Sequence, residues 1–127
     1  MNHKYCIDSS AWIEYFSGTQ KGLKIKKLIE EDLICCSIIA ISELADKFEK
    51  EEKEFDTKLK FIQSRSTIIQ LNIDIALQAA KIKKDIRKQN PKFGLVDGIH
   101  LATSQQENSV FVTSDNDFNG IKNTLII

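Results

Sequence analysis

The chain has 127 residues, 42% of them hydrophobic, which suffices for one core and leaves no length for a second, so a single domain over residues 1–127 is expected. Lys plus Arg and Asp plus Glu each number 18, and this neutral balance excludes a chain driven onto nucleic acid by global charge; any such contact falls to a local basic patch. Strand-like residues begin at His3, leaving no room for a signal peptide, and no apolar run is long enough to span a bilayer, so a cytoplasmic location without membrane contact is expected.

In chain order, His3 to Ile7 reads as a short strand. Ser9 or Ser10 can cap a following helix that carries Ala11, Trp12, Ile13, Tyr15 and Phe16, and Ser17-Gly18-Thr19 breaks it. Helical spacing makes Trp12, Tyr15 and Phe16 core or interface residues before base-stacking ones. A second helix covers Lys21 to Glu31, with Lys24, Lys26 and Lys27 facing water. Leu33 to Cys36 is the second strand, and Ser37 caps a helix through Ile38, Ile39, Ile41, Glu43 and Leu44. An amphipathic helix follows through Phe55, Leu59 and Ile62. Thr67 to Leu71 is a third strand, after which Asn72 caps a long helix from Ile73 to about Gln89, ended by Asn90-Pro91. A helix from about Gly94 to Gln106 leads to the fourth strand, Val110 to Thr113, with Leu125 to Ile127 as a fifth at the edge. This β–α alternation implies a mostly parallel sheet between helical layers. Cys6, Cys35 and Cys36 lie inside the apolar runs without C-x-x-C spacing; they are expected as buried thiols rather than a zinc site, since only His3 and His100 could assist.

Acids recur where such a fold gathers ligands. Asp8, Glu43, Asp97 and Asp115 sit just beyond the strand-like runs or just inside the helices that follow, with Asp117 two residues after Asp115. In an open parallel sheet the carboxyl ends of the strands form a common rim, where acids distant in sequence can meet. Grouped carboxylates repel in a partly desolvated pocket and call for protonation or a cation, and oxygen ligands favour hard ions such as Mg²⁺ or Mn²⁺. Each acid also has an ordinary structural reading: Asp8 as a helix cap, Glu43 as the edge of an apolar face, Asp97 as a first-turn acid favoured by the helix dipole, and Asp115-Asn116-Asp117 as a turn.

The segments Cys6-Ile7-Asp8-Ser9-Ser10, Ile41-Ser42-Glu43-Leu44, Leu95-Val96-Asp97-Gly98-Ile99-His100-Leu101-Ala102-Thr103 and Val112-Thr113-Ser114-Asp115-Asn116-Asp117-Phe118, in this order, resemble a PIN domain of the VapC-type toxin ribonuclease kind. The match spans the whole chain. The resemblance implies an α/β fold, a three-layer α/β/α sandwich on a mostly parallel five-stranded sheet, with Asp8, Glu43, Asp97 and Asp115 as the catalytic quartet and Asp117 as an accessory metal-binding acid. It further implies that Ser10 and Thr113 orient carboxylates or water; capping and strand-end hydrogen bonding would account for them equally. His100 falls where the family usually packs, and stays outside the catalytic set. Homodimers are also implied.

The implied chemistry is hydrolysis of RNA phosphodiesters with one or two Mg²⁺ or Mn²⁺ ions, which activate a water without a histidine base. Asp8 and Asp115 would be the principal metal ligands, Asp97 would complete coordination, and Glu43 would hold or polarise the water. The densest basic segment, Ala80 to Lys92, leads into the Asp97 helix; Lys83, Lys84, Arg87, Lys88 and Lys92 are candidate RNA contacts, although a solvated helix face reads the same way. If the chain is a toxin, a small antitoxin whose tail covers the acidic groove is implied, with charge complementarity to match. Rival classes are a catalytically silent PIN-like scaffold or RNA-binding module and a receiver-type phosphoacceptor. The receiver is disfavoured because Asp8 is followed by serines and the third strand ends at Leu71-Asn72.

Overall fold

The computed structural model describes residues 3–127. Five strands, β1 (Tyr5–Ile7), β2 (Ile34–Ser37), β3 (Ser66–Ile69), β4 (Val110–Thr113) and β5 (Thr124–Ile126), form one sheet in the order β3-β2-β1-β4-β5, every neighbouring pair parallel. Six helices connect them: α1 (Ser9–Ser17), α2 (Gln20–Glu31), α3 (Ile38–Lys50), α4 (Asp56–Arg65), α5 (Ile73–Ile86) and α6 (Leu95–Gln106). The three-layer α/β/α sandwich expected from the sequence is the observed fold. The strand order differs from the 2-1-3-4-5 arrangement of receiver-type sheets, which removes that rival.

Alternation along the strands builds the layers, because successive side chains leave a strand on opposite faces. Ile7, Cys36 and Val112 point into a core with Ala11 and Trp12 of α1, Ile25 and Ile29 of α2, Leu44 of α3 and Ile62 of α4. Their neighbours Cys6, Cys35 and Phe111 point the other way, against Ile75 and Ala79 of α5 and Leu101 and Ala102 of α6. All three cysteines are buried free thiols.

Helix starts follow local chemistry. Thr19, Ser37 and Asn72 adopt extended backbone and accept from Gly22, Ile39 and Ile75 N–H, capping α2, α3 and α5. The cap of α1 is Asp8 rather than either serine; Ser9 and Ser10 are its first helical residues. The helix expected to reach Gln89 ends at Ile86, where Arg87 turns back and donates from Nε to Phe93 O at 2.6 Å. Asn90 then donates from Nδ2 to Asp117 O at 2.9 Å, so the loop is held by side chains rather than by further helix.

At the amino ends of the strands, His3 places Nδ1 2.7 Å from Glu107 Oε1 and Nε2 2.9 Å from Thr67 Oγ1. Cys35 completes a His/Cys/acid group there within 4.8 Å. Both imidazole nitrogens are already engaged, which makes this a clamp between the entrance to β1, β3 and the end of α6.

Candidate metal centre

The strand order reverses between β1 and β4, and in open α/β sheets the crevice beyond such a point is the ligand-binding position. Asp8 leaves β1 directly into that crevice. Its Oδ1 accepts Ser9 N–H at 2.8 Å; its Oδ2 accepts the hydroxyls of Ser10 at 2.9 Å and Thr113 at 2.7 Å. The same hydroxyls accept from the loop after β4: Ser114 N–H donates to Ser10 Oγ and Asp115 N–H to Thr113 Oγ1, each at 3.0 Å. Ser10 and Thr113 therefore fasten the Asp8 carboxylate to the loop that carries Asp115. Asp8 is only 5% exposed despite its charge.

Glu43 arrives from the second turn of α3. Its Oε1 accepts Ser9 Oγ–H at 3.1 Å and lies 2.8 Å from His100 Nε2. A carboxylate only accepts, so the imidazole carries the proton on Nε2. His100 is 2% exposed and stacks on Phe111 of β4. Asp97, one turn earlier on α6, accepts Gly94 N–H at Oδ2 (2.8 Å), and Asp115 Oδ1 accepts Asp117 N–H at 2.9 Å. The ordinary capping roles of Asp8, Asp97 and Asp115 are thus filled, and by one face of each carboxylate. Among the described residues, Glu43 Oε2, Asp97 Oδ1 and Asp115 Oδ2 accept no protein hydrogen bond.

The electrostatics follow from this grouping. Burial pushes the Asp97 carboxyl up; the Gly94 N–H opposes it, the charges of Asp115 and Asp8 add to it, and the net direction is above the ordinary value. Burial also acts to raise Glu43, but the His100 hydrogen bond and charge, with the Ser9 hydroxyl, outweigh it and leave that carboxyl lowered. Burial acts to lower His100, yet the Glu43 hydrogen bond and the charges of Asp8, Glu43 and Asp97 leave it raised. The imidazole and Glu43 each favour the charged form of the other.

These residues fit a divalent cation. Asp8, Glu43 and His100 each offer a ligand atom, all within 4.8 Å of one another. The charges of Asp8, Glu43 and Asp97 act on the His100 imidazole, and among the described residues no Lys or Arg forms an ion pair with these acids or with Asp115. Negative charge so concentrated in a half-buried crevice favours a cation, and carboxylate oxygens are ligands for a hard divalent ion.

Other sequence candidates fall differently. Asp117, in a short 3₁₀ turn (Asn116–Phe118), lines a separate hollow with Asp85, Asn90, Asn119 and Ile121, whose lining includes none of Asp8, Glu43, Asp97 or Asp115. Lys83 is half-buried, Lys84 and Lys92 are exposed, and Lys88 lies 3.6 Å from Asp85. Arg87 spends its Nε on Phe93 O. His100 is the group that sequence reasoning left as packing; it does stack, and it also joins the acids. Its one sequence signal is the Asp97-x-x-His100 spacing, which puts both side chains on one face of a helix.

A chain with this strand order and acids gathered beyond β1 and β4 is an α/β protein with a carboxylate cluster of the kind that can hold a cation. Residues 5–123 match the family described as PIN domain, and the chain belongs to that family. No curated protein matches it in sequence. Among solved structures it is similar to a chain of a toxin–antitoxin complex from Klebsiella pneumoniae, with 24% identity, a TM-score of 0.76 and 96% of each chain covered. It is also similar to a chain of VapBC2 from Rickettsia felis bound to a promoter DNA fragment (19% identity, TM-score 0.75, covering 97% of this chain and 96% of that one). A third neighbour is the Mycobacterium tuberculosis toxin VapC20, which cleaves the sarcin–ricin loop (14% identity, TM-score 0.70, covering 94% and 95%). At these identities the likeness is one of fold.

Proposed function

We propose that the chain is a metal-dependent endoribonuclease and the toxin of a toxin–antitoxin pair, acting in the cytoplasm as one domain over residues 1–127. The observation that carries this reading is the assembly of Asp8, Glu43 and His100 within 4.8 Å at the crevice beyond β1 and β4, with Asp97 and Asp115 in the same electrostatic field. Asp8, Asp97 and Asp115, with Glu43, would hold Mg²⁺ or Mn²⁺. When bound, such an ion supplies Lewis acidity at the phosphate and a water of lowered pKa.

The chain's own residues do the rest. Ser10 and Thr113 fix the Asp8 carboxylate in one orientation. The oxygens of Glu43, Asp97 and Asp115 that accept no protein hydrogen bond among the described residues would be available to the ion, and Glu43 would hold or polarise the attacking water. Lys84, Lys88 and Lys92, around the loop that leads into α6, are the candidates to receive the RNA backbone. The four acids, poor in compensating cations, suit a basic side chain of an antitoxin, as the toxin–antitoxin setting of the structural neighbours also supports. Exposed Leu71, Ile73 and Leu77 at the start of α5 offer apolar surface for a second copy of the chain, in keeping with a homodimer.

The test is cleavage of a mixed pool of structured and single-stranded RNAs by purified protein with Mn²⁺ or Mg²⁺. Cutting that needs the ion, stops with chelator and falls at least 100-fold in Asp8→Asn is expected, on the order of the loss when a central charge-stabilising group is removed. Inactivity across the pool in an ion-binding protein would favour a silent scaffold.

A further inference from the structure

We propose that His100 is a positioning residue of this centre: through Nε2–H to Oε1 it holds the Glu43 carboxylate so that Oε2 meets the ion beside Asp8. The inference rests on the metal-dependent reading above and names a residue that the acid quartet leaves out.

Glu43 is the least constrained of the acids. Its side chain is 41% exposed and stands on the second turn of α3, whereas the other three lie at or near the start of a helix or turn. A glutamate in that setting samples several rotamers unless it is held. Two donors hold it, Ser9 Oγ at 3.1 Å from α1 and His100 Nε2 at 2.8 Å from α6, and both bind the same oxygen. That arrangement fixes the carboxylate from two directions and leaves Oε2 unengaged.

His100 is built to do this. It is 2% exposed, and its ring stacks on Phe111 with centroids 6.1 Å apart and planes at 22°, so it has no room to swing. Its Nε2 is 3.9 Å from Asp8 Oδ1, beyond hydrogen-bonding range, so the proton there belongs to Glu43. A residue needed only to fill the space over Phe111 would be served by leucine, without burying a polar ring. Lying three residues after Asp97, His100 makes α6 the source of one acid and of the group that orients an acid on α3. Groups that orient metal ligands in this way typically contribute a further 10- to 100-fold, roughly, in ion affinity.

The experiment is Mn²⁺ binding to the intact chain, by titration calorimetry and by the spin-resonance signal of free ion. The proteins compared are wild type, His100→Leu, His100→Gln, Glu43→Gln and the double variant His100→Leu with Glu43→Gln. Glutamine carries an amide N–H at nearly the reach of imidazole Nε2. The expected result is a loss of about tenfold in His100→Leu, recovery of most of it in His100→Gln, and no additional loss when His100→Leu is placed on Glu43→Gln. Additive losses in the double variant would overturn the proposal, because independent sites add. So would a glutamine variant as weak as leucine, which marks His100 as a direct ligand, or unchanged affinity in His100→Leu. Should the leucine variant fail to fold by circular dichroism, His100→Asn, too short to reach Glu43, takes its place with the same expectations. Ion binding by wild type with no change in His100→Leu removes the role of His100 alone. Absence of ion binding by wild type removes it together with the metal-dependent reading.

Discussion

Thr113 Oγ1 donates to Asp8 Oδ2 at 2.7 Å and accepts Asp115 N–H at 3.0 Å, so a single fully buried hydroxyl joins the acid after β1 to the acid after β4. Thr113→Val keeps the branched shape that suits a strand and removes both bonds. A stability loss of about 1–3 kcal/mol in urea denaturation is expected, the range for leaving buried polar partners unsatisfied, together with weaker Mn²⁺ binding because Asp8 loses an anchor. The positions of the acids were readable at this scale, since Asp8 and Asp115 follow apolar runs and Asp97 opens a helix pattern. The rim of a parallel sheet led to their meeting as well, but the pairing of Glu43 with His100 was not readable. Glu43 and His100 lie 57 positions apart on separate helices, and whether they touch depends on how α3 and α6 are rotated over the sheet. Asp117 lies in the 3₁₀ turn that Asp115 caps and donates its N–H to Asp115 Oδ1 at 2.9 Å. Asp8, Ser9 and Ser10 are all good caps by residue type, and Asp8, in extended backbone at the end of β1, is the one that caps α1.

At the scale of elements, α6 must sit close to α5 for Asp97 and His100 to reach the crevice, and Gly98 permits this. A Cβ at Gly98 would meet Ala79 O at 2.6 Å and Ala79 C at 3.3 Å, backbone atoms of α5 that cannot step aside. Gly98→Ala is therefore expected to push α6 outward. A destabilisation of about 1–3 kcal/mol, the usual cost of overpacking, should be seen in thermal melts, together with weaker Mn²⁺ binding, because Asp97 and His100 ride on the displaced helix. The elements themselves were legible because β–α alternation and capping residues recur through the chain. The end of α5 was not. Its basic residues continue the helical pattern to Gln89, whereas the bond from Arg87 to Phe93 O closes a turn that only the returning loop makes available.

For the whole molecule, an open parallel sheet with its order reversing between β1 and β4 places the acids at one end and the His3 clamp, with Thr67 and Glu107, at the other. Ion binding at the acidic end is then linked to global stability, because the unfolded chain has no such cluster. Mn²⁺ at about 100 times its dissociation constant should stabilise the fold by about 2.7 kcal/mol. A rise in melting temperature that is reversed by chelator and absent in Asp8→Asn is the expected observation. Sheet order itself lay beyond the sequence, since alternation implies parallel strands without saying which lie side by side. Asp97 and Asp115 each accept one backbone N–H at the start of the helix or turn they open and make no other protein hydrogen bond among the described residues, and asparagine accepts such bonds as well as aspartate. Under the proposed ribonuclease reading, a lineage that drifts out of catalysis has two single substitutions to asparagine open to it, at Asp97 and Asp115, which would remove the charge while each position keeps its backbone bond.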